Sequence, residues 1–172
     1  LALRERLRAR FAALIGCGAA DVAILGNTSQ GVSAIAHGFP WKRGDGVVLF
    51  QGEFPANVTP WQRAAALCDL QISFLSLEGY HSDLQRPLEL LEEALLGGVR
   101  LVAVSAVQFQ TGLRMPLEAM TRLCHAHGAQ IFVDAIQACG ACPLDVWELG
   151  VDYLAAGGHK WLMGPNGVGF LY

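Results

Sequence analysis

Short apolar runs of strand length alternate along this chain with stretches of helical periodicity, and that alternation limits the possible folds more than any single residue does. Apolar positions at Leu3, Leu7, Phe11 and Leu14 predict a helix over residues 1–14. The run 21–25 reads as a strand entering a turn at Gly26 and Asn27. Residues 28–38 then have helical spacing, with Thr28 or Ser29 available as an N-cap. Further strands are expected at 47–50, 71–77, 100–107, 129–133, 151–155 and 167–172, and helices at 56–70, 83–96 and 116–127. Gly97, Gly98 and Gly128 stand where helices should stop, and Pro116 where one should begin. Strands joined by crossover helices run parallel, and helices on both faces then cover the sheet. The expected fold is an α/β three-layer α/β/α sandwich around a mostly parallel mixed sheet.

Composition agrees with one such domain. The 172 residues are 53% hydrophobic and 16% charged, enough apolar material for a single core. A net charge of −3 gives no reason to expect nucleic acid or an anionic membrane as partner. No apolar run reaches the roughly 18 residues needed to span a bilayer, and residues 1–10 lack the apolar segment of a secretory signal. A cytoplasmic protein is the expectation. Five cysteines, an odd number, argue against a disulfide framework. The first residue is not Met and residues 167–172 read as a strand, so the chain is expected to be a piece of a longer protein.

In open α/β sheets, ligands bind beyond the carboxyl ends of the strands. Four polar segments follow apolar runs and are the candidates: 26–31, 53–57, 134–137 and 157–161. Asp134 ends the run Ile131, Phe132, Val133. A carboxylate there is either a cap for the following turn or an anion aimed at a ring nitrogen, keeping it protonated. Lys160 lies among glycines and aromatics in Gly157-Gly158-His159-Lys160-Trp161, where partial desolvation would make its amine a nucleophile toward an aldehyde. His159 reads equally as a ring-stacking or phosphate-side group and as a satisfied buried histidine. Segment 26–31 joins a strand to a helix, and Thr28, Ser29 and the free N–H groups of a helix start form a natural phosphate seat. It matches neither the P-loop nor the spaced-glycine dinucleotide pattern, so a plain N-cap is its other reading.

Taken together and in this order, these segments resemble the class V aminotransferase family of fold-type-I pyridoxal-phosphate (PLP) enzymes. Cysteine desulfurases, selenocysteine lyases, kynureninases and isopenicillin N epimerase-like proteins belong to it. The most specific matches are Asp134 with Gln137 and the triplet Gly158-His159-Lys160. Behind them come Gly164-Pro165-Asn166-Gly167-Val168-Gly169 and the segment Glu53-Phe54-Pro55-Ala56-Asn57. The resemblance implies that residues 1–172 are the PLP-binding large domain of a transferase or lyase, without its C-terminal small domain. It implies Lys160 as the Schiff-base lysine and proton shuttle, Asp134 on the pyridinium nitrogen and Gln137 on the phenolate oxygen. Thr28 and Ser29 would bind the phosphate, with His159 on the phosphate side. Phe54 would cover the ring where desulfurases use His, and Gln108 would face the site from its strand end. The implied substrate is an amino acid or related amine, and the implied assembly a homodimer. Transamination, lyase or elimination chemistry and epimerisation all stay open.

The chain departs from the desulfurase pattern in three places: Gly157 replaces a phosphate-binding Ser, Ala106 an Asn, and Phe54 a proton-transferring His. A desulfurase or selenocysteine lyase proper is therefore the alternative rather than the first reading. A rival of another class is a non-catalytic domain with a metal or redox site built from Cys139, Cys142, Cys124, His125 and His127. Against it, Cys124 and the two histidines fall in a helical pattern, and Ala138, Gly140 and Ala141 read as close helix packing. Trp41, Trp61, Trp147 and Trp161 read as packing residues, and 88–96 as a buried helix face.

Overall fold

The computed structural model describes residues 2–172; Leu1, which the sequence reading places in the first helix, lies outside the described residues. The chain runs α1 (Ala2–Leu14), β1 (Ala23–Leu25), α2 (Thr28–Gly38), β2 (Gly46–Phe50), α3 (Thr59–Cys68), β3 (Gln71–Leu75), α4 (Gln85–Leu95) and β4 (Val99–Ser105). It continues through α5 (Leu117–Ala126), β5 (Gln130–Asp134), α6 (Val146–Leu149), β6 (Tyr153–Gly157) and β7 (Gly169–Leu171). The strands form one sheet in the order β1-β7-β6-β5-β4-β2-β3. Among the described strands β7 alone points opposite to the other six, pairing antiparallel with both β1 and β6. A right-handed crossover needs a helix's worth of chain, whereas eleven residues without a helix separate β6 from β7, so β7 returns in the opposite sense.

Alternation along the strands feeds two separate apolar layers. Val47, Leu49, Leu101, Ala103, Phe132 and Ala155 point to one face and meet Val32 and Ala36 of α2 and Trp61 and Ala64 of α3. Val48, Phe50, Val102, Val104, Ile131 and Val133 point to the other and meet Phe11, Leu91, Leu95, Met120 and Cys124 of α1, α4 and α5. The expected three-layer sandwich is what forms, because a sheet covered on both faces can place the residues of its central strands in one layer or the other.

Some expectations need correction. The helix expected from residue 56 begins only at Thr59, behind a 3-10 turn at Pro55–Asn57, because Asn57 is held by Glu53 and Trp61 side chains instead of joining the helix. It ends before residue 70, at Asp69 in a left-handed conformation. The segment around Cys139 and Cys142 is a turn with an isolated bridge between the two residues, not a packed helix, since Gly140 adopts φ +91. The short helix α6 had no sequence expectation; Asp145 creates it by accepting the N–H groups of Trp147 and Glu148. Leu96 of the expected buried helix face is 74% exposed, as are Trp147 (69%) and Trp161 (56%) among the expected packing tryptophans. Trp61 is fully buried.

Candidate active site

The parallel strands present their carboxyl ends at one edge of the sheet, and each expected polar segment leaves from there. Asn27, rather than the expected Thr28 or Ser29, is the N-cap of α2, because its Oδ1 accepts from Gln30 N at 2.9 Å. The first-turn N–H groups of Thr28 and Ser29 have no partner within a helix, and they point out of the N-terminus that favours anions. Thr28 is buried and its Oγ1 makes no hydrogen bond. A hydroxyl buried without a partner is unfavourable in a finished scaffold, so this one fits an acceptor that arrives with a ligand.

A close contact sets α2 where it is. Gly31 packs on β6 so tightly that a Cβ there would lie 2.6 Å from the Cβ of Ala155. The helix start therefore stands beside the loop that follows β6, which carries His159 and Lys160. That loop closes through Gly164 N to Gly158 O (2.8 Å) and Gly158 N to Val168 O (2.8 Å). Gly157 meets the imidazole of His159, since a Cβ there would come within 3.2 Å of its Cε1 and Nδ1. The Ser that desulfurases carry at this position would need that ring to move.

A cavity of about 220 Å³ is lined by Asn27, Thr28, Ser29, Phe54, Ala56, Asp134, Ile136, His159 and Lys160. It brings together six expected site residues from loops after β1, β2, β5 and β6. Larger hollows exist, among them a groove of about 540 Å³ between α4 and α5. Volume is a weaker guide than convergent polar groups, and the smaller cavity has them. The Nζ of Lys160 lies 5.7 Å from the ring centroid of Phe54. Phe54 in turn meets Phe109 edge to face, centroids 5.3 Å apart.

Asp134 closes the cavity floor at 3% exposure. Its Oδ1 accepts from Ile136 N at 3.0 Å, so the turn-capping reading and the site reading both hold. Burial pushes its carboxyl up to about 7; the Ile136 N–H opposes this, the charge of Glu53 adds to it and that of Lys160 opposes it. A carboxyl in this state awaits a cation.

Gln108 and Gln137 do not line the cavity. Gln137 Oε1 accepts from Trp161 Nε1 at 3.2 Å. Gln108 is buried and donates from Nε2 to Glu53 Oε1 at 2.8 Å, leaving its own Oε1 without a partner. Glu53 itself, and Ser105 at the end of β4, had no assigned role in the sequence reading. The available signal was an acidic residue a few positions past the apolar run of β2, where a charge needs a reason to be near the core.

The cysteine rival finds no support in the geometry. Among the described residues no group of three or more His, Cys, Asp or Glu could hold a metal ion. Burial pushes the thiols of Cys124 and Cys139 up to about 12, away from reactive thiolates.

Comparison with known proteins agrees with this architecture. The family model "Aminotransferase class-V" matches residues 2–172. A probable cysteine desulfurase of Pyrococcus abyssi is 36% identical over 155 residues, 88% of this chain and 37% of that protein. A cysteine desulfurase of Klebsiella pneumoniae is 31% identical over 172 residues, 98% of this chain and 41% of that protein. Among solved structures, the apo cysteine desulfurase of Thermococcus onnurineus superposes with a TM-score of 0.89 at 33% identity, covering 98% of this chain and 42% of that one. A cystine C–S lyase in complex with its product cysteine persulfide superposes with a TM-score of 0.93 at 30% identity, covering 99% and 45%. A variant of that lyase carries glycine covalently linked to the PLP cofactor. The chain thus spans about two fifths of the length of these relatives. With the family model spanning residues 2–172 and the sheet edge gathering its characteristic segments, the chain belongs to the class-V aminotransferase family.

Proposed function

We propose that this chain is the cofactor-binding large domain of a pyridoxal-phosphate enzyme acting on an amino acid, with lyase chemistry as the leading reaction class. The observation that carries the reading is the single cavity joining the start of α2, Phe54, Asp134 and Lys160. The residues fit the cofactor: Thr28 offers a buried, unpartnered hydroxyl beside a helix N-terminus, suited to a phosphate. Asp134 offers a buried carboxyl suited to a ring nitrogen. The PLP-bearing lyase and the desulfurases among its relatives support both the cofactor and the lyase class.

When bound, the cofactor supplies an electron sink for a bond breaking at the substrate's α-carbon. The rest is work for this chain's own groups. Thr28, Ser29 and the first turn of α2 would hold the phosphate, and the aromatic face of Phe54 would cover the ring. Asp134 would keep a proton at the ring nitrogen. Lys160 would hold the cofactor covalently, then carry a proton to or from the α-carbon. Gln137 would reach the ring's phenolate oxygen after release from Trp161, and His159 would stand at the phosphate side.

Two further parts of the reading concern the whole protein. A homodimer is supported by apolar side chains around the lysine loop that are open to solvent, Trp161 at 56% and Met163 at 91%. No described helix is long and apolar enough to cross a membrane, and a cytoplasmic enzyme is the proposal consistent with that.

The test uses the full-length protein. Wild type should take up PLP with a new absorbance band, and borohydride should fix the cofactor to the peptide containing Lys160; Lys160→Ala should show neither. No uptake by a folded wild-type protein would reject the reading. Product analysis with cysteine and cystine then separates lyase chemistry from transamination and epimerisation.

A further inference from the structure

Glu53 is buried at 7% exposure, yet every hydrogen bond it accepts comes from a neutral donor. Its Oε1 accepts from Ser105 N at 2.7 Å and from Gln108 Nε2 at 2.8 Å. Its Oε2 accepts from Ser105 Oγ at 2.5 Å and from Asn57 Nδ2 at 3.3 Å. Asn57 is held in turn by Trp61 Nε1 at 3.2 Å. Four donors on two oxygens match the acceptor-only carboxylate form. Such a group is costly for a scaffold, because no cation offsets its burial.

Its location gives the charge a purpose. Ser105 and Asp134 are register partners on the adjacent strands β4 and β5, and neighbouring strands lie only about 4.8 Å apart. By gripping Ser105 through both its N–H and its hydroxyl, Glu53 places its carboxylate next to the strand end that carries Asp134. It also fixes the Gln108 amide by Nε2, so that Oε1, buried and without a partner, is held as an open acceptor.

We propose that Glu53 is a positioning residue for the cofactor ring: anchored on Ser105 and holding Gln108, it sets a second buried negative charge beside Asp134 and selects the ring with its nitrogen protonated. This rests on the PLP reading above. Of the two carboxyl groups only Asp134 lines the cavity, where Lys160 is the one lysine, and on that reading the Lys160 amine is taken up by the cofactor. The protonated ring nitrogen is the positive charge that remains to balance them. The other titratable groups facing Asp134 change this little: Cys139 is a buried neutral thiol, and His159 is exposed at the rim. The charge of Glu53 is also one of the causes, after burial, that keep the proton on Asp134 before a cation arrives.

The full-length protein again serves as the test, with equilibrium affinity for PLP measured across the neutral pH range and with thermal stability followed in parallel. Glu53→Gln is expected to weaken affinity on the order of tenfold to a hundredfold, the effect of one charge at this range in a partly polar interior. It should also flatten the pH dependence of binding. Glu53→Asp keeps the charge, so it should lose less affinity and retain the wild-type profile. A Glu53 that only supports the fold would lower the melting temperature in both variants and leave the pH profile of binding unchanged, which overturns the proposal. Should Glu53→Gln not fold, Ser105→Ala loosens the same anchor, and an unaltered profile there overturns the proposal equally. Failure of wild type to bind PLP at all is a different result and rejects the parent reading.

Discussion

Gly31 of α2 lies so close to Ala155 of β6 that it has no room for a side chain: a Cβ on the glycine would stand 2.6 Å from that of the alanine. This pair sets the height of α2 above the sheet, and with it the position of Thr28 and Ser29 relative to the loop bearing Lys160. Because β6 leads directly into that loop, one backbone approach aligns the proposed phosphate seat with Lys160.

Substituting Gly31→Ala tests the contact. Helix propensity alone would favour alanine by about 1 kcal/mol, but overpacking against a central strand, which costs about 1–3 kcal/mol, should outweigh it and leave a net loss of up to about 2 kcal/mol. Adding Ala155→Gly should recover part of the loss. Denaturant midpoints of the two single variants and the double variant would show the coupling, and an additive double variant would contradict it.

Thr28 separates ligand binding from stability. Its Oγ1 is buried without a partner, so Thr28→Val, nearly the same shape, should leave the cofactor-free protein as stable as wild type or slightly more so. The same variant should bind PLP about tenfold or more weakly, because a hydrogen bond to a charged group contributes about 1.5–3 kcal/mol. Paired measurements of urea unfolding and PLP affinity decide it; a destabilised variant with unchanged affinity would contradict the phosphate role.

Asp134 gives a pH dependence with a defined sign. Burial holds its proton up to about 7 in the folded chain, against an ordinary value of 3.8. The folded state therefore binds the extra proton, and the stability this contributes is full below the ordinary value and is lost as pH rises through about 7. Asp134→Asn keeps an acceptor for Ile136 N and has no such titration. In the cofactor-free protein it should remove the fall in stability between roughly pH 5 and roughly pH 8 and be more stable by a few kcal/mol at the upper end, since each tenfold difference in proton affinity between folded and unfolded chain contributes roughly 1.4 kcal/mol. Denaturant titrations at the two pH values would check this. With PLP present the order should reverse if Asp134 is the anion proposed for the ring nitrogen.

Much of the candidate site could be read along the chain because its parts are local. Thr28 and Ser29 announce themselves by following a strand and starting a helix, Asp134 by ending an apolar run, and Lys160 by its glycine-rich surroundings. The cavity unites all four. Gln108 and Gln137 were legible as candidates, but their partners were not. Gln137 is held by Trp161, 24 positions on, and Gln108 by Glu53, 55 positions back. The missed helix α6 and the late start of α3 share a cause: side-chain hydrogen bonding by Asp145 and Asn57 overrides the apolar periodicity on which such readings rest.

The layered α/β architecture and the polar strand ends are written along the chain, because burial on two faces and helix starts leave signals within a few residues. The antiparallel entry of β7 between β1 and β6, the seating of α2 on Ala155 through Gly31, and the reach of Glu53 to Ser105 beside Asp134 arise in three-dimensional packing alone. These are contacts between segments distant in the chain. Their energies come from packing and from desolvated charge, which depend on what lies nearby in space and leave no period along the sequence.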